Sequence, residues 1–228
     1  MKLRALLIGC TALLLTGCFD ARYDVGLNND GSGSIAIEIV LDKDLSRDLL
    51  KDGKGKLDKQ ANQSQLGKNA KTNQRVENGS IVVSQSLAFK SLSDITGGDV
   101  DVEVQNLGRS FVGVSRSRIR LATTNNRAKA KHDSGGEMAD QFVSQMFKGH
   151  EMRVTMHLPC TVESAQELHH NGAVYAAKVD KSWFAGSTVE WRLPMADALA
   201  LQEHGHSDFV ATCWSWSGIT PGRSRTGK

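Results

Sequence analysis

The chain has 228 residues, of which 39% are hydrophobic, 23% charged and 6% aromatic, with only 3 Pro, so it can bury a core and is neither collagen-like nor wholly disordered. Lys and Arg number 28 against 25 Asp and Glu, a formal charge of +3. That is too small for a surface that grips nucleic acid through its phosphates, so no nucleic-acid partner is expected.

The N-terminus has the form of a processing signal. Lys2 and Arg4 precede an apolar run of 11 residues at 5–15, the order of charged and apolar regions in a secretory signal. The run is too short to cross a bilayer core, which takes about 20 apolar residues. Leu15-Thr16-Gly17-Cys18 follows and resembles the lipobox of bacterial lipoproteins, where small residues admit a signal peptidase and the cysteine thiol takes a diacylglycerol. The resemblance implies a leader at 1–17 that is cleaved and Cys18 as an acylated first residue. A nearly neutral chain of 211 residues remains, held to a membrane by acyl chains that each contribute about 0.8 kcal/mol per buried CH₂. Phe19 in place of Asp beside the cysteine implies, by the same resemblance, the outer membrane of a cell that has one. An ordinary secreted chain without lipid is the alternative.

Of the 4 cysteines, Cys10 leaves with the leader and Cys18 carries lipid. Cys160 and Cys213 remain, and an even pair in an oxidising compartment is expected to form a disulfide. Two buried thiols acting as small hydrophobes are the alternative. No C-x-x-C pair or basic neighbourhood suggests a redox role.

Along the domain, Tyr23, Val25 and Leu27 alternate with polar or small residues, Asn28-Asn29-Asp30-Gly31-Ser32-Gly33 supplies a turn, and Ile35, Ile37, Ile39 and Leu41 alternate again. This predicts a β-hairpin, and with no G-K-[ST] run and no following helix the glycines serve the turn, not a phosphate. Asp42 or Asp44 caps a short helix carrying Leu45 and Leu49. Residues 51–78 hold seven basic and three acidic side chains, a solvated insertion or, alternatively, an arm drawn to anionic head groups. Asn78-Gly79 predicts a second hairpin leading into Ile81, Val83 and Leu87, and Ser91-Leu92-Ser93-Asp94 has capping-box spacing.

Val100, Val102 and Val104 interleave with Asp99, Asp101 and Glu103, a strand expected to turn at Leu107-Gly108-Arg109 and pair with 110–122. A tight turn there places Asp99, Asp101 and Glu103 opposite Arg120, Arg118 and Arg116, a charge ladder on one face. An anion site at those arginines is the alternative. Val112 and Val114 break the phase, which predicts a bulge near Gly113. Ser134 to Glu137 opens a helix at 138–147 whose Met138, Phe142, Val143, Met146 and Phe147 make one apolar face, a candidate ligand surface or else core. Strands follow at 152–158, 173–179 and 188–193, then a short helix from Pro194-Met195-Ala196-Asp197 and a last strand at 209–216 carrying Cys213 and the paired Trp214 and Trp216. The basic stretch 220–228 is expected to be disordered.

The ordered pattern of lipobox, first strand, Asn29-Asp30-Gly31-Ser32-Gly33, isoleucine strand, Val76-Glu77-Asn78-Gly79, Phe89, the 142–147 helix, Leu158-Pro159, Asn171-Gly172 and Val189-Glu190-Trp191 is similar to the LppM-type domain of bacterial lipoproteins. The chain departs from it at Cys160, where such domains often carry glycine, and lacks the transmembrane segment that ends some members. The resemblance implies an α+β domain displayed on the envelope, with no catalytic residues beyond the lipidated Cys18.

Chemistry-bearing motifs are sparse. His204-Gly205-His206, with Glu203 adjacent and His169-His170 elsewhere, lacks an assigned third ligand, so no metal and no cofactor are expected. There is no G-x-S-x-G or H-E-x-x-H, and His132-Asp133-Ser134 is contiguous, unlike the groups of a triad. The expectation is a single α+β domain over 18–219, a largely antiparallel sheet of about seven or eight strands with two to four short helices packed on one face. It is expected to be noncatalytic, membrane-tethered through Cys18, and to bind a lipid or another envelope component. A scaffold for an envelope protein complex and a metal-dependent envelope enzyme using His204 and His206 are the alternatives.

Overall fold

The first strand, β1 (Phe19–Leu27), places Ala21, Val25 and Leu27 inward while Arg22 and Asp24 face out, the period of two that a half-buried strand requires. The structure is a computed structural model that describes residues 19–41, 66, 69–96, 100–110, 113–123, 147–182, 186–203 and 207–223. The other strands are β2 (Gly33–Leu41), β3 (Lys71–Glu77), β4 (Ser80–Phe89), β5 (Val100–Arg109), β6 (Ser115–Thr123), β7 (Glu151–Leu158), β8 (Thr161–Ala165), β9 (Leu168–His170), β10 (Ala173–Tyr175), β11 (Lys178–Ser182), β12 (Gly186–Pro194), β13 (Asp208–Ser215) and β14 (Gly222–Arg223). Among the described residues one α-helix, α1 (Met195–Glu203), and one 3-10 turn (Leu92–Asp94) accompany them.

A seven-stranded sheet runs β11-β12-β7-β1-β2-β4-β3, a five-stranded sheet runs β14-β5-β6-β13-β8, and β9 with β10 forms a ribbon. Every neighbouring pair is antiparallel except β1 with β7, which is parallel. The expected strand count therefore describes the larger sheet, but the expectation of one sheet is corrected. Open twisted sheets rarely exceed about 10 strands before they curl or split, and here the chain divides into two. Their inner faces share one buried cluster, which takes in Val25, Ile35, Val154 and Trp191 from the larger sheet and Val102, Ile119, Leu121 and Phe209 from the smaller.

The two sheets meet at a corner. The chain leaves β7 at Leu158, turns through Pro159 and Cys160, and enters the other sheet as β8. Cys160 is disulfide-bonded to Cys213 of β13, with Cα atoms 5.8 Å apart, so the expected bridge fastens this corner. Ser187 at the start of β12 accepts a 3.1 Å hydrogen bond from the Val162 N–H. Gly186 completes the contact. Its φ is +85°, and a Cβ there would lie 2.2 Å from the Leu158 carbonyl oxygen. Gly186→Ala is expected to lose at least about 2 kcal/mol of stability, since positive φ alone costs an L-residue about 1–2 kcal/mol and the backbone collision adds to it. Gly172→Ala, with φ +80° and nothing within 4 Å, isolates the dihedral effect and is expected to lose about 1 kcal/mol. Urea midpoints of the two variants check this, and equal losses would remove the collision.

Several local expectations are corrected. The β5/β6 hairpin does not turn at Leu107-Gly108-Arg109. A register shift between Asn106 and Gly108 lets β5 run on to Arg109, and the chain reverses beyond it, where the Ser110 N–H donates to the Val114 carbonyl at 2.8 Å. Glu103 therefore faces Arg120, and Gln105 faces Arg118. The displacement is an even number of residues, so every side chain keeps its face while the partners change. The bulge sits on β5 and not near Gly113. The polar stretch 51–78 contributes a buried Leu66 and, from Lys71 onward, the edge strand β3. The expected strand at 173–179 is two, β10 and β11. Residues 220–223, expected to be disordered with the rest of 220–228, are folded: Gly222 and Arg223 pair with β5, and the Thr220 N–H donates to the Asn29 carbonyl at 2.9 Å. The Asn78-Gly79 hairpin forms as expected, with φ of 52° and 85°, as does the capping box of Ser91 and Asp94.

Candidate functional site

Four regions place the chemistry-bearing side chains. At one end of the larger sheet, Phe19 begins β1 and packs edge-to-face on Phe147, centroids 5.9 Å apart. Asp20 accepts the Glu151 N–H at 3.0 Å and lies 3.2 Å from His150 Nδ1. Phe147 is buried in the core. Cys18 lies outside the described residues, as do Met138, Phe142 and Met146 of the expected apolar helix, the expected helix after Asp42, and His204 with His206.

The outer face of the larger sheet is neutralised by its own side chains. Arg22, Arg153 and Arg192 stand side by side across β1, β7 and β12. Arg22 pairs with Glu38 at 3.0 Å, Arg153 with Glu151 at 2.8 Å and Arg192 with Glu190 at 2.7 Å. The Arg192 hydrogen bond is the main reason the Glu190 carboxyl titrates below its ordinary range. Arg75 of β3 extends the pattern by pairing with both Glu38 and Glu77. Such exposed pairs contribute little stability, roughly 0–1 kcal/mol each, but they leave no arginine of this row free for an external anion.

The outer face of the smaller sheet differs. Arg120 makes a forked pair with Asp208 at 2.8 and 2.9 Å and reaches Asp101 at 3.3 Å. The Asp208 hydrogen bonds hold its guanidinium above its ordinary range. Arg223 of β14 reaches the same buried Asp101 at 2.9 Å. Arg116 pairs with Glu163 at 2.8 Å and lies over the Trp214 ring, 5.4 Å from its centre. Sequence reasoning identified the arginine stripe but assigned its carboxylates to β5. Asp208 and Glu163 come from β13 and β8, strands distant in sequence, which no local pattern signals. Between them Arg118 is exposed and, among the described residues, has neither ion pair nor hydrogen bond. It lines a groove of about 250 Å³ with Ser164, Thr212, Leu107, Ala165 and Val210.

A fourth cluster joins the β9/β10 ribbon to α1. The Tyr175 hydroxyl donates to Asp197, and His170 Nε2 lies 4.0 Å from the same carboxylate. Burial, followed by the bond to Asp197 and its charge, pushes Tyr175 up to about 12, so it remains a protonated donor at neutral pH. The cluster fastens the ribbon to the helix. Among the described residues no three His, Cys, Asp or Glu side chains are grouped to hold a metal ion, and no helix is long and apolar enough to cross a membrane.

No family model and no curated protein matches the sequence. Among solved structures, the chain is similar to the folded domain of the LppM protein of Mycobacterium tuberculosis, determined by NMR, at 12% identity and a TM-score of 0.36, over 86% of this chain and 88% of that one.

Proposed function

We propose that the protein is a bacterial envelope lipoprotein, anchored by acylated Cys18, whose β-rich domain is a noncatalytic module that binds a lipid or another envelope component. The observation that carries this reading is the position of β1. Its first residue, Phe19, directly follows the cysteine of Leu15-Thr16-Gly17-Cys18. Phe19 and Asp20 are held by Phe147 and Glu151, so a lipid on Cys18 has no flexible spacer and keeps the domain against the leaflet. Two or three acyl chains suffice for firm attachment.

The test is metabolic labelling with an alkyne fatty acid, followed by detergent phase partitioning. The native chain is expected to carry label, lack residues 1–17 and enter the detergent phase. Cys18→Ala is expected to lose all label and keep residues 1–17. Label that survives Cys18→Ala, or a native chain that carries none, defeats the lipoprotein reading.

A further inference from the structure

We propose that the groove around Arg118, on the outer face of the five-stranded sheet, binds a phosphate group, carried by an anionic lipid headgroup or by a small soluble phosphate ester. The assignment goes beyond the anchoring of Cys18 and stands without it.

The groove is built from one row of side chains crossing four strands. Gln105 of β5 faces Arg118 of β6, which faces Thr212 of β13, which faces Ser164 of β8. Neighbouring strands are about 4.8 Å apart, so Arg118 and Ser164 stand about 10 Å apart with Thr212 between them. A register shift on β8 at Thr212/Cys213 puts Glu163 out of this row, where Arg116 takes it. On the other side Asp101 and Asp208 are taken by Arg120 and Arg223. Glu163, Asp101 and Asp208 are thus committed to its neighbours, and among the described residues the Arg118 guanidinium has no counter-charge.

The donor set favours phosphate over carboxylate. The planar guanidinium offers two parallel N–H groups, and the Thr212 and Ser164 hydroxyls, which make no hydrogen bond among the described residues, add two more. Donors on three successive strands are too widely spread for the two closely spaced, coplanar oxygens of one carboxylate and suit the tetrahedrally disposed oxygens of a phosphate. At about 250 Å³ the groove is below the range of about 300–1,000 Å³ that encloses a drug-sized ligand. It takes a headgroup and leaves the remainder of the ligand outside. Leu107, 42% exposed, forms an apolar lip where that remainder emerges.

The experiment follows the arginine Nε–H and the Thr212 and Ser164 amide resonances of the full chain in an uncharged detergent. One arm adds inorganic phosphate. The other dopes the micelles with phosphatidylglycerol, against diacylglycerol bearing the same chains. The expected result is a saturable shift of these three resonances, with Arg118→Gln weakening the apparent affinity at least tenfold, Arg118→Lys giving an intermediate loss and Arg22→Gln leaving it unchanged. Because Arg118 is exposed and has no partner among the described residues, its variants are expected to keep the native melting curve. A response to inorganic phosphate assigns a soluble ester, and a response to phosphatidylglycerol alone assigns a lipid headgroup. The proposal is overturned if neither probe shifts the three resonances, or if Arg118→Gln responds as the native chain does.

Discussion

Trp191→Ala is expected to lower the free energy of unfolding by about 4 kcal/mol, within the range of about 3–5 kcal/mol for removing a buried aromatic side chain. Trp191 is fully buried on the inner face of β12. It meets Phe209 of the other sheet edge-to-face, with centroids 5.5 Å apart. Its Nε1–H donates to the Gln166 carbonyl at 2.9 Å, while the Gln166 N–H donates to the Val210 carbonyl at 2.8 Å. Truncation therefore opens a cavity between the sheets and removes the side-chain donor of the part-buried Gln166 carbonyl at once. Trp191→Phe keeps most of the volume and is expected to lose less, about 1 kcal/mol from the lost hydrogen bond. Trp216→Ala, at a side chain 77% exposed, is expected to stay within about 0.5 kcal/mol. Urea denaturation followed by far-ultraviolet circular dichroism ranks the three. If Trp191→Ala lost no more than Trp216→Ala, the two sheets would not share this core.

The second large effect belongs to the disulfide. Cys160 and Cys213 close a loop with a sequence separation of 53, for which the chain-entropy model gives roughly 4 kcal/mol, an upper value for a bridge whose denatured chain keeps some structure. Both residues are buried, so alanine is a better replacement than serine, whose hydroxyls would lack partners. The double variant Cys160→Ala/Cys213→Ala is expected to lose about 2–4 kcal/mol and to be indifferent to reductant. The native chain should fall to a similar midpoint when reduced. A native chain whose urea midpoint ignores reductant would contradict the bridge or its contribution.

Local chemistry was legible from sequence, and distant pairing was not. Period-two alternation at Val25, Ile35, Ile37, Met152, Val154 and Met156 identified strands whose buried face is the observed one. Asn78-Gly79 and Ser91 to Asp94 identified a turn and a cap because positive φ and a side-chain oxygen at a fixed offset are properties of a few adjacent residues. The cysteine pair was found by elimination. Nothing local distinguishes a parallel neighbour from an antiparallel one, so the β1/β7 pair escaped notice, as did the division into two sheets at Pro159 and Cys160. The β5/β6 register failed for a related reason. Gly108 looked like the centre of a tight turn, yet it serves a bulge, and the two roles ask the same conformational freedom of glycine. The arginine stripe was visible at 116, 118 and 120, but which of the three has no carboxylate among the described residues depended on Glu163 and Asp208, placed by β8 and β13.

The position of β1 also decides how the domain bears load. It is the central strand of seven, hydrogen-bonded to β2 on one side and β7 on the other. A force applied at Phe19 therefore pulls lengthwise on a strand clamped along both edges. Drawing β1 out requires both ladders to slip together, since neither can peel one bond at a time as an edge strand such as β3 or β11 can. If the chain is anchored at Cys18 as proposed, a pull on that anchor is met by a strand paired along both edges.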